Sequence, residues 1–423
     1  MAVSDTGFAI TVRRALVLVS SMLSTLLLTL NAPSPAFAQD APHVTSGTED
    51  TRTQYPLLLR NTYFNINIGY LDYPFSQQQL EPGFSAESID IPRVAVRAVL
   101  IGHQFTPYFS VQAHYARPVQ YVSYRNVNGE QAGHHVWMHF GGVTAKSQVP
   151  LSNRIAVYGE GGIGLTSRAG FEFGTTSVVR DAHFANLLLG GGIEYHVNRN
   201  WDLLAGTLYS QGNSEQHQPR TLFTSGGFRY IMREVPADVV ETNRRSGYLF
   251  PEHMIQVSYT TDTFGYGLNT LLSKKVPIFW GGNVKVARGF AVHYEQNVYH
   301  TRKVFGFDVG ASAGAWRSRD NAEWFRTLSV YPLFRFTLLR TRPVDGYIAY
   351  SLAGPSYISK QVLDGLSTGR AFTFQDFIGF GVYLGPRRQF NLGVKINHYS
   401  NGNIFTENAG VKIPYTFNLG YTF

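Results

Sequence analysis

The side chains best suited to chemistry are a histidine and a serine two residues apart near the C-terminus, His398 and Ser400. A histidine beside a serine is the minimum needed to deprotonate a hydroxyl for attack on an ester carbonyl. A second serine, Ser312, lies at the centre of residues 310–314, which fit the G-x-S-x-G nucleophile elbow. That elbow requires a sharp turn from a strand into a helix, and nothing near Ser312 predicts a helix. The sequence therefore favours His398 and Ser400 as the reactive pair.

The strand that would carry this pair is residues 390–400, where apolar and polar side chains alternate. Its apolar face consists of Phe390, Leu392, Val394 and Ile396. Because side chains two residues apart point to the same side of a strand, His398 and Ser400 continue that face. Polar groups that face lipid are costly unless they have a function. The polar interface above the hydrocarbon is an equally good interpretation of both residues.

The same alternation recurs along the chain, in segments of about 9–13 residues separated by turn-rich stretches, which is the length range of membrane-spanning strands. Aromatic residues make up 14% of the chain, charged residues only 15%, and there are 42 glycines. After the N-terminal leader, no segment has the roughly 20 consecutive apolar residues that a membrane helix needs. An apolar stripe continues to the final residue, Phe423, as expected of the last strand that the barrel assembly machinery of an outer membrane would receive. We therefore predict transmembrane β-structure rather than a soluble sandwich.

Sixteen strands are predicted, in two sets of eight. The first set comprises residues 63–73, 94–105, 109–117, 135–148, 155–167, 184–197, 201–210 and 221–232. The second set comprises residues 254–266, 284–299, 304–316, 325–339, 347–358, 372–384, 390–400 and 413–423. Because open sheet edges are not tolerated in hydrocarbon, each set must close on itself or both must merge. We predict an all-β chain of two tandem antiparallel eight-stranded transmembrane barrels, with one sixteen-stranded barrel as the alternative.

The N-terminus predicts export. Arg13 and Arg14 precede an apolar run over residues 15–30 and an A-x-A site ending at Ala38, the order expected of a secretory signal peptide. The predicted domains are a signal peptide at 1–38, an N-terminal segment at 39–60, a barrel at 61–233, a charged linker at 234–247 and a second barrel at 248–423. The chain has no cysteine, which excludes disulfides and thiolate metal sites. We expect no cofactor, no metal and no nucleic-acid partner.

The first predicted barrel carries no convincing chemistry. Its inward-facing set would be polar and would fill a narrow lumen with Arg97, His103, Gln112, His114 and Glu160. In pattern alone, this half resembles the barrels of the outer-membrane protein A type.

The second predicted barrel carries a more specific resemblance. His398-Tyr399-Ser400-Asn401, followed by Asn408-Ala409-Gly410, is similar to the H-x-S-N…N-x-G signature of the lipid A 3-O-deacylase (PagL) family, acyloxyacyl hydrolase-type barrels of the outer membrane. The resemblance covers about residues 250–423. It implies an eight-stranded barrel with a His-Ser-Glu triad on its outer surface, in which His398 is the general base and Ser400 the nucleophile. It also implies that Asn401 helps to shape the oxyanion site and that Asn408 supports the same loop.

The acid of the triad departs from this family pattern. The family's glutamate is expected fourteen residues after the histidine, and that position is Lys412, which cannot orient the imidazole or stabilise its protonated form. Asp376 and Glu407 are the available replacements. If residues 385–389 form a hairpin turn, Leu384 pairs with Phe390, and counting back places Asp376 opposite His398. We therefore expect Asp376 to be the acid, ahead of Glu407.

The predicted function is a serine-dependent lipid A deacylase, a carboxylic ester hydrolase of the outer membrane whose site faces the outer leaflet. It would remove an ester-linked acyl chain from the lipid A of lipopolysaccharide, and specificity for the 3-O position follows from the resemblance alone. Outer-membrane lipid would surround it. Basic residues of the predicted outer loops could attract lipid A phosphates, namely Lys274, Lys275, Arg317, Arg319, Lys360, Arg370 and Lys412. The alternatives are a non-enzymatic anchor or adhesin that has lost catalysis, which the substitution by Lys412 makes credible, and a passive pore.

Overall fold

A computed structural model describes residues 51–275, 281–405 and 407–423. The predicted signal peptide and residues 39–50 of the N-terminal segment lie outside the described residues. Within the described ranges, no helix is long and apolar enough to span a membrane.

The first half of the chain consists mainly of antiparallel strands. They are β1 Thr62–Asp72, β2 Ala86–Asp90, β3 Val94–Thr106, β4 Phe109–Pro118, β5 Val122–Val127, β6 Glu130–Pro150, β7 Ile155–Ala169, β8 Phe171–Phe173, β9 Thr176–Val179, β10 Ala182–His196, β11 Trp201–Ser210 and β12 Thr221–Ile231. Eight of them close into a barrel in the order β6-β4-β3-β1-β12-β11-β10-β7, with β7 pairing back onto β6. The short strand β5 pairs with the first part of β6, β2 pairs with β5, and β8 and β9 form a separate hairpin.

The second half forms a separate closed barrel. Its elements are β13 His253–Thr261, β14 Val284–His300, β15 Phe305–Ser318, β16 Trp324–Arg340, β17 Val344–Ile358, β18 Val362–Leu363, β19 Leu366–Ser367, β20 Phe372–Leu384, β21 Phe390–Ser400 and β22 Val411–Thr422. The barrel order is β13-β14-β15-β16-β17-β20-β21-β22, closed by β22 on β13.

The prediction of two eight-stranded barrels is therefore confirmed, and the sixteen-stranded alternative is wrong. Each barrel closes through its own first and last strands, because β1 pairs with β12 and β13 pairs with β22. Closure removes every unpaired edge that would otherwise face lipid. Between the barrels lies a short helix, α1 Ala237–Arg244, in the segment expected as a linker, and a second helix, α2 Gly267–Lys275, follows β13.

Buried ion pairs fill both lumens. In the first barrel, Arg97 makes two hydrogen bonds to Glu160, at 2.8 and 2.7 Å, and Gln112 donates a third to the same carboxylate at 2.7 Å. In the second barrel, Arg335 pairs with Glu295 and Asp308, each at 2.5 Å. Charged groups inside a protein are tolerated when they are paired in this way, and eight strands leave room for little else.

The prediction that His103 faces inward is wrong. His103 lies on the outward face, where its ring contacts Phe105 at a centroid distance of 4.8 Å and its Nδ1 lies 3.2 Å from the hydroxyl of Thr62. The reason is a β-bulge at Leu100, which shifts the pairing of β3 with β4 by one residue and so reverses the alternation beyond it.

The two ends of the second barrel differ in their connections. At one end, β20 and β21 are joined through the short turn 385–389, whereas at the other end residues 359–371 precede β20 and residues 401–410 follow β21. We call the latter the long-loop end. The first barrel has the same asymmetry, because the turn 151–154 precedes β7 and the β8–β9 hairpin follows it.

Candidate active site

His398 and Ser400 lie at the long-loop end of β21, on the outward face of the second barrel. The preceding members of that face, Phe390 and Leu392, are 55% and 44% exposed, as expected of side chains directed towards lipid. Ser400 is half-buried, and it is the last residue of the strand. The period of two thus places both side chains on the same face of the strand, as the sequence predicts.

The expectation that His398 itself faces lipid is wrong, because its side chain is only 1% exposed. Gly410 lies against the imidazole, since a Cβ atom at this glycine would stand 3.3 Å from His398 Nε2. The segment that contains Gly410 is itself paired, because Asn283 and Val284 donate backbone hydrogen bonds to the carbonyls of Ala409 and Gly410 at 2.8 and 3.1 Å. Half-buried Ser400 is therefore the more accessible member of the pair.

Asp376 lies directly opposite His398 on the neighbouring strand. The pairing of Leu384 with Phe390 continues without a shift along β20 and β21 to the pairing of Asp376 with His398, which confirms the predicted register. The carboxylate Oδ2 lies 3.4 Å from the imidazole Nδ1, and Asp376 is 2% exposed. This distance is longer than the usual 2.7–3.2 Å range of such hydrogen bonds, and catalytic hydrogen bonds often tighten only when substrate is bound.

A β-bulge on the next strand holds the other carboxylate oxygen. Leu352 and Ala353 of β17 together stand opposite Asp376, because the register shifts between Ser351 and Gly354. Ala353 has a φ of +54°, a left-handed conformation that is unusual for a residue other than glycine. In that conformation its backbone N–H donates to Asp376 Oδ1 at 2.6 Å. Bulges of this kind often lie next to active sites and reorient nearby groups.

Lys412 stands on the other side of His398. It pairs with His398 across β21 and β22, so the position where the resemblance leads one to expect a glutamate is adjacent to the imidazole and carries a lysine. Asp376 and Lys412 thus flank His398 from opposite strands. The acid side chain nearest to the imidazole comes from β20 rather than from β22.

Glu407, the alternative acid, is engaged elsewhere. Its carboxylate accepts a hydrogen bond from the hydroxyl of Ser367 in the β18–β19 hairpin, and its side chain is exposed. The structure brings Asp376, and not Glu407, to the Nδ1 side of His398.

Asn401 and Asn408 hold the loop that follows Ser400. The side-chain amide of Asn401 donates to the carbonyls of Thr368 and Glu407, at 3.1 and 2.6 Å, and the residue is fully buried. Its backbone N–H donates to Asn408 Oδ1 at 3.1 Å. Thr368 belongs to the loop before β20 and Glu407 to the loop after β21, so the Asn401 side chain joins these two loops.

Gly410 lies against the Nε2 side of the imidazole. Its φ is +61°, and a Cβ atom at this position would stand 3.3 Å from His398 Nε2 and 3.2 Å from both the carbonyl oxygen of Gly281 and the Cα of Gly282. Since Nδ1 is directed at Asp376, Nε2 is the nitrogen that would exchange a proton with Ser400 if this serine is the nucleophile expected from the sequence. A glycine leaves room there that any other residue would fill.

Two of the basic residues expected to attract phosphate are paired with carboxylates. Arg319 lies 3.6 Å from Asp262, and Lys360 lies 3.1 Å from Glu323. The backbone N–H of Asp364 and the Lys360 ammonium lower the pKa of Glu323. Exposed pairs of this kind are weak, so they reduce the attraction of these two cations for an anionic lipid without removing it.

Other candidate chemistry is not supported. Ser312 lies within β15 on the inward face, where its hydroxyl is 3.5 Å from Gln375 Oε1, and no strand-to-helix turn surrounds it. Among the described residues, no group of three histidines or carboxylates is arranged to hold a metal ion.

Comparisons with known proteins agree with this architecture. Residues 288–422 match the sequence model of the lipid A 3-O-deacylase (PagL) family, and residues 78–220 match that of the OmpA-like transmembrane domain. Both resemblances expected from the sequence are therefore confirmed. Each match lies within one of the two barrels, and both families belong to the outer membrane, so the chain is an outer-membrane protein.

Solved structures of single barrels cover about two fifths of the chain each. The outer-membrane enzyme PagL is 16% identical with a TM-score of 0.29, covering 40% of this chain and 99% of its own. The N-terminal barrel of OprF from Pseudomonas aeruginosa is 12% identical with a TM-score of 0.26, covering 40% and 97%. The neisserial surface protein A is 16% identical with a TM-score of 0.27, covering 40% and 97%. Among curated proteins, none matches this chain.

Proposed function

We propose that the second barrel, which matches the lipid A 3-O-deacylase family over residues 288–422, is a serine-dependent ester hydrolase that removes an acyl chain from lipid A. The alignment of Asp376, His398 and Ser400 on one outward face carries this proposal. A carboxylate, an imidazole and a hydroxyl in that order are the groups that activate a serine for acyl transfer. Removal of the 3-O-linked chain is the specificity that the family match supports.

The connections of the barrel support an orientation towards the outer leaflet. Outer-membrane barrels have short turns in the periplasm and longer loops outside the cell. Ser400 lies at the long-loop end, directly before residues 401–410, which corresponds to the level of the outer leaflet. Lipopolysaccharide occupies that leaflet, and its ester bonds would lie beside an outward-facing hydroxyl without leaving the membrane.

The reaction would proceed through an acyl-enzyme. Ser400 Oγ attacks the ester carbonyl while His398 Nε2 takes the hydroxyl proton, and Asp376 holds Nδ1–H and stabilises the imidazolium. His398 then gives the proton to the departing sugar oxygen, which releases the deacylated lipid. Water attacks the acyl-serine with His398 again as the base, which releases the fatty acid and restores the serine. The distance of 3.4 Å between the carboxylate Oδ2 and Nδ1 supports this role for Asp376.

The decisive experiment is mass spectrometry of lipid A from cells that express the wild type, Ser400→Ala or Ser312→Ala. Ser312→Ala is the matched control, because Ser312 lies on the inward face of the same barrel. We expect the loss of one acyl chain with the wild type and with Ser312→Ala, and intact lipid A with Ser400→Ala, since removing such a nucleophile costs about 10⁶-fold in rate. Deacylation that persists in Ser400→Ala would contradict the assigned nucleophile.

A comparison of substrates separates lipid A from phospholipid. Purified protein would be given radiolabelled lipid A or radiolabelled phospholipid in the same detergent, and fatty acid release would be counted. We expect release from lipid A alone. Release from phospholipid alone would assign a phospholipase, and intact substrates with a folded, surface-located wild type would favour the anchor or adhesin. A passive pore has no support, because buried ion pairs such as Arg335–Glu295 fill the lumen.

A further inference from the structure

The first barrel contacts the loop that follows the proposed nucleophile. Ser167 lies near the long-loop end of β7, four residues after Ile163, which is 73% exposed. Residues an even number of positions apart share one face of a strand, so both side chains face outward from the first barrel. The Ser167 hydroxyl donates a hydrogen bond to the backbone carbonyl of Asn403 at 2.9 Å, although 236 residues separate them. Ser167 is only 5% exposed. An outward side chain is thus buried at a point where the two barrels meet.

Ser167 also contacts a histidine, and the number of hydrogens available shows which of the two groups is the donor. Ser167 Oγ lies 2.6 Å from the Nδ1 of His183, its cross-strand partner on β10. A hydroxyl has one hydrogen, and here that hydrogen is directed to the carbonyl of Asn403. Nδ1 of His183 must therefore carry the proton and donate it to Ser167 Oγ. In this arrangement His183 orients the Ser167 hydroxyl and does not act as a base for it.

A chain of hydrogen bonds leads from Asn403 to the residue after Ser400. Asn403 has a φ of +58° and, with Gly402 at +63°, forms the centre of a tight turn closed by the Ile404 N–H on the Asn401 carbonyl at 3.2 Å. Positive φ at both central residues defines a type I′ turn. Asn408 donates to Asn403 Oδ1 at 2.8 Å and accepts from the Asn401 N–H at 3.1 Å. These hydrogen bonds hold the backbone of the loop that directly follows Ser400.

We propose that the first barrel is a positioning partner of the active site, in which Ser167, oriented by His183, braces the 401–410 loop and so fixes Ser400 and its surroundings. This inference rests on the proposed function for its effect on turnover, but the brace itself is a structural contact that can be measured without activity. It assigns the first barrel a role in the chemistry of the second.

The test uses the full-length protein and the variants Ser167→Ala, Ser167→Thr and Ser147→Ala. Ser167→Thr keeps the hydroxyl, and Ser147 is an exposed serine of β6 at the opposite end of the first barrel, which makes it the matched control. Hydrogen exchange of peptides from residues 401–410 reports on the loop, and lipid A deacylation gives kcat and KM separately.

We expect Ser167→Ala to speed exchange in the loop and to lower kcat, each by about 3- to 10-fold, the effect of losing one neutral hydrogen bond. KM should change little. Ser167→Thr should have the loop exchange rate and the kcat of the wild type, and so should Ser147→Ala. Unchanged loop exchange in Ser167→Ala would overturn the brace, even if the enzyme is active and depends on Ser400. If Ser167→Ala speeds loop exchange but the wild-type protein itself never deacylates lipid A, the contact between the barrels is supported and the proposed function is overturned.

Discussion

Asp376 and His398 face each other across β20 and β21, with the carboxylate Oδ2 3.4 Å from the imidazole Nδ1. On the opposite strand Lys412 faces the same histidine. Of the two flanking strands, only β20 presents a side chain that can orient the imidazole and balance its charge. The bulge at Ala353 fixes the second oxygen of Asp376, so this carboxylate is held from two directions.

Replacing Asp376 with asparagine should abolish most of the activity while leaving the barrel folded. An asparagine can still accept the Ala353 N–H, but it cannot stabilise the imidazolium, and an equivalent change in a serine protease triad costs about 10⁴-fold in kcat. Single-turnover release of labelled fatty acid measures the effect. Glu407→Gln is the control, because Glu407 binds Ser367, and it should retain nearly full activity. The opposite pattern in the two variants would assign the acid to Glu407.

Arg335→Met should strongly destabilise the second barrel. Arg335 is the partner of both Glu295 and Asp308, and all three side chains are buried. Removing one member of a buried ion pair leaves uncompensated charge, which costs about 3–5 kcal/mol. The urea midpoint of unfolding in detergent or lipid measures this cost.

The matched control for Arg335 is Arg60→Met. Arg60 pairs with Glu234 at 3.2 Å, and that carboxylate is largely exposed, so the free energy of unfolding should change by less than about 1 kcal/mol. Equal midpoints for the two variants would show that the lumen pairs do not stabilise the barrel.

The period of two made the strands and much of the site predictable. A strand register fixed by one turn was enough to place Asp376 opposite His398, since no bulge intervenes between β20 and β21. Bulges elsewhere could not be predicted, because runs such as Val99-Leu100-Ile101 and Leu352-Ala353 interrupt the alternation without showing that the strand holds an extra residue. The burial of His398 could not be predicted either, since the loop that lies against it is held by backbone pairing between residues distant in sequence.

Gly410→Ala should lower activity by at least about 10-fold, because misplacement of a reacting group by 1 Å can cost about 100-fold. A methyl group at this position would stand 3.3 Å from His398 Nε2 and would displace the imidazole or the loop. Gly402→Ala is the matched control, since Gly402 also has a positive φ of +63° but a Cβ there would meet only the ring of Phe374, at 3.7 Å. Both variants carry the same backbone strain. Equal losses in the two would attribute the effect to strain rather than to crowding of the imidazole.

Lys412→Glu should restore activity to the Asp376→Asn variant. Lys412 pairs directly with His398, and cross-strand partners have Cβ atoms about 4.5–5.5 Å apart, so a glutamate there could reach the imidazole from the strand that carries the acid in the resembling family. We expect the double variant to recover at least about 10-fold of the lost kcat, which corresponds to about 1.4 kcal/mol of transition-state stabilisation. Lys412→Gln in the same background is the control, since it removes the positive charge without supplying a carboxylate. Recovery in both double variants would mean that Lys412 acts only by repelling the imidazolium, and recovery in neither would mean that the carboxylate must come from β20.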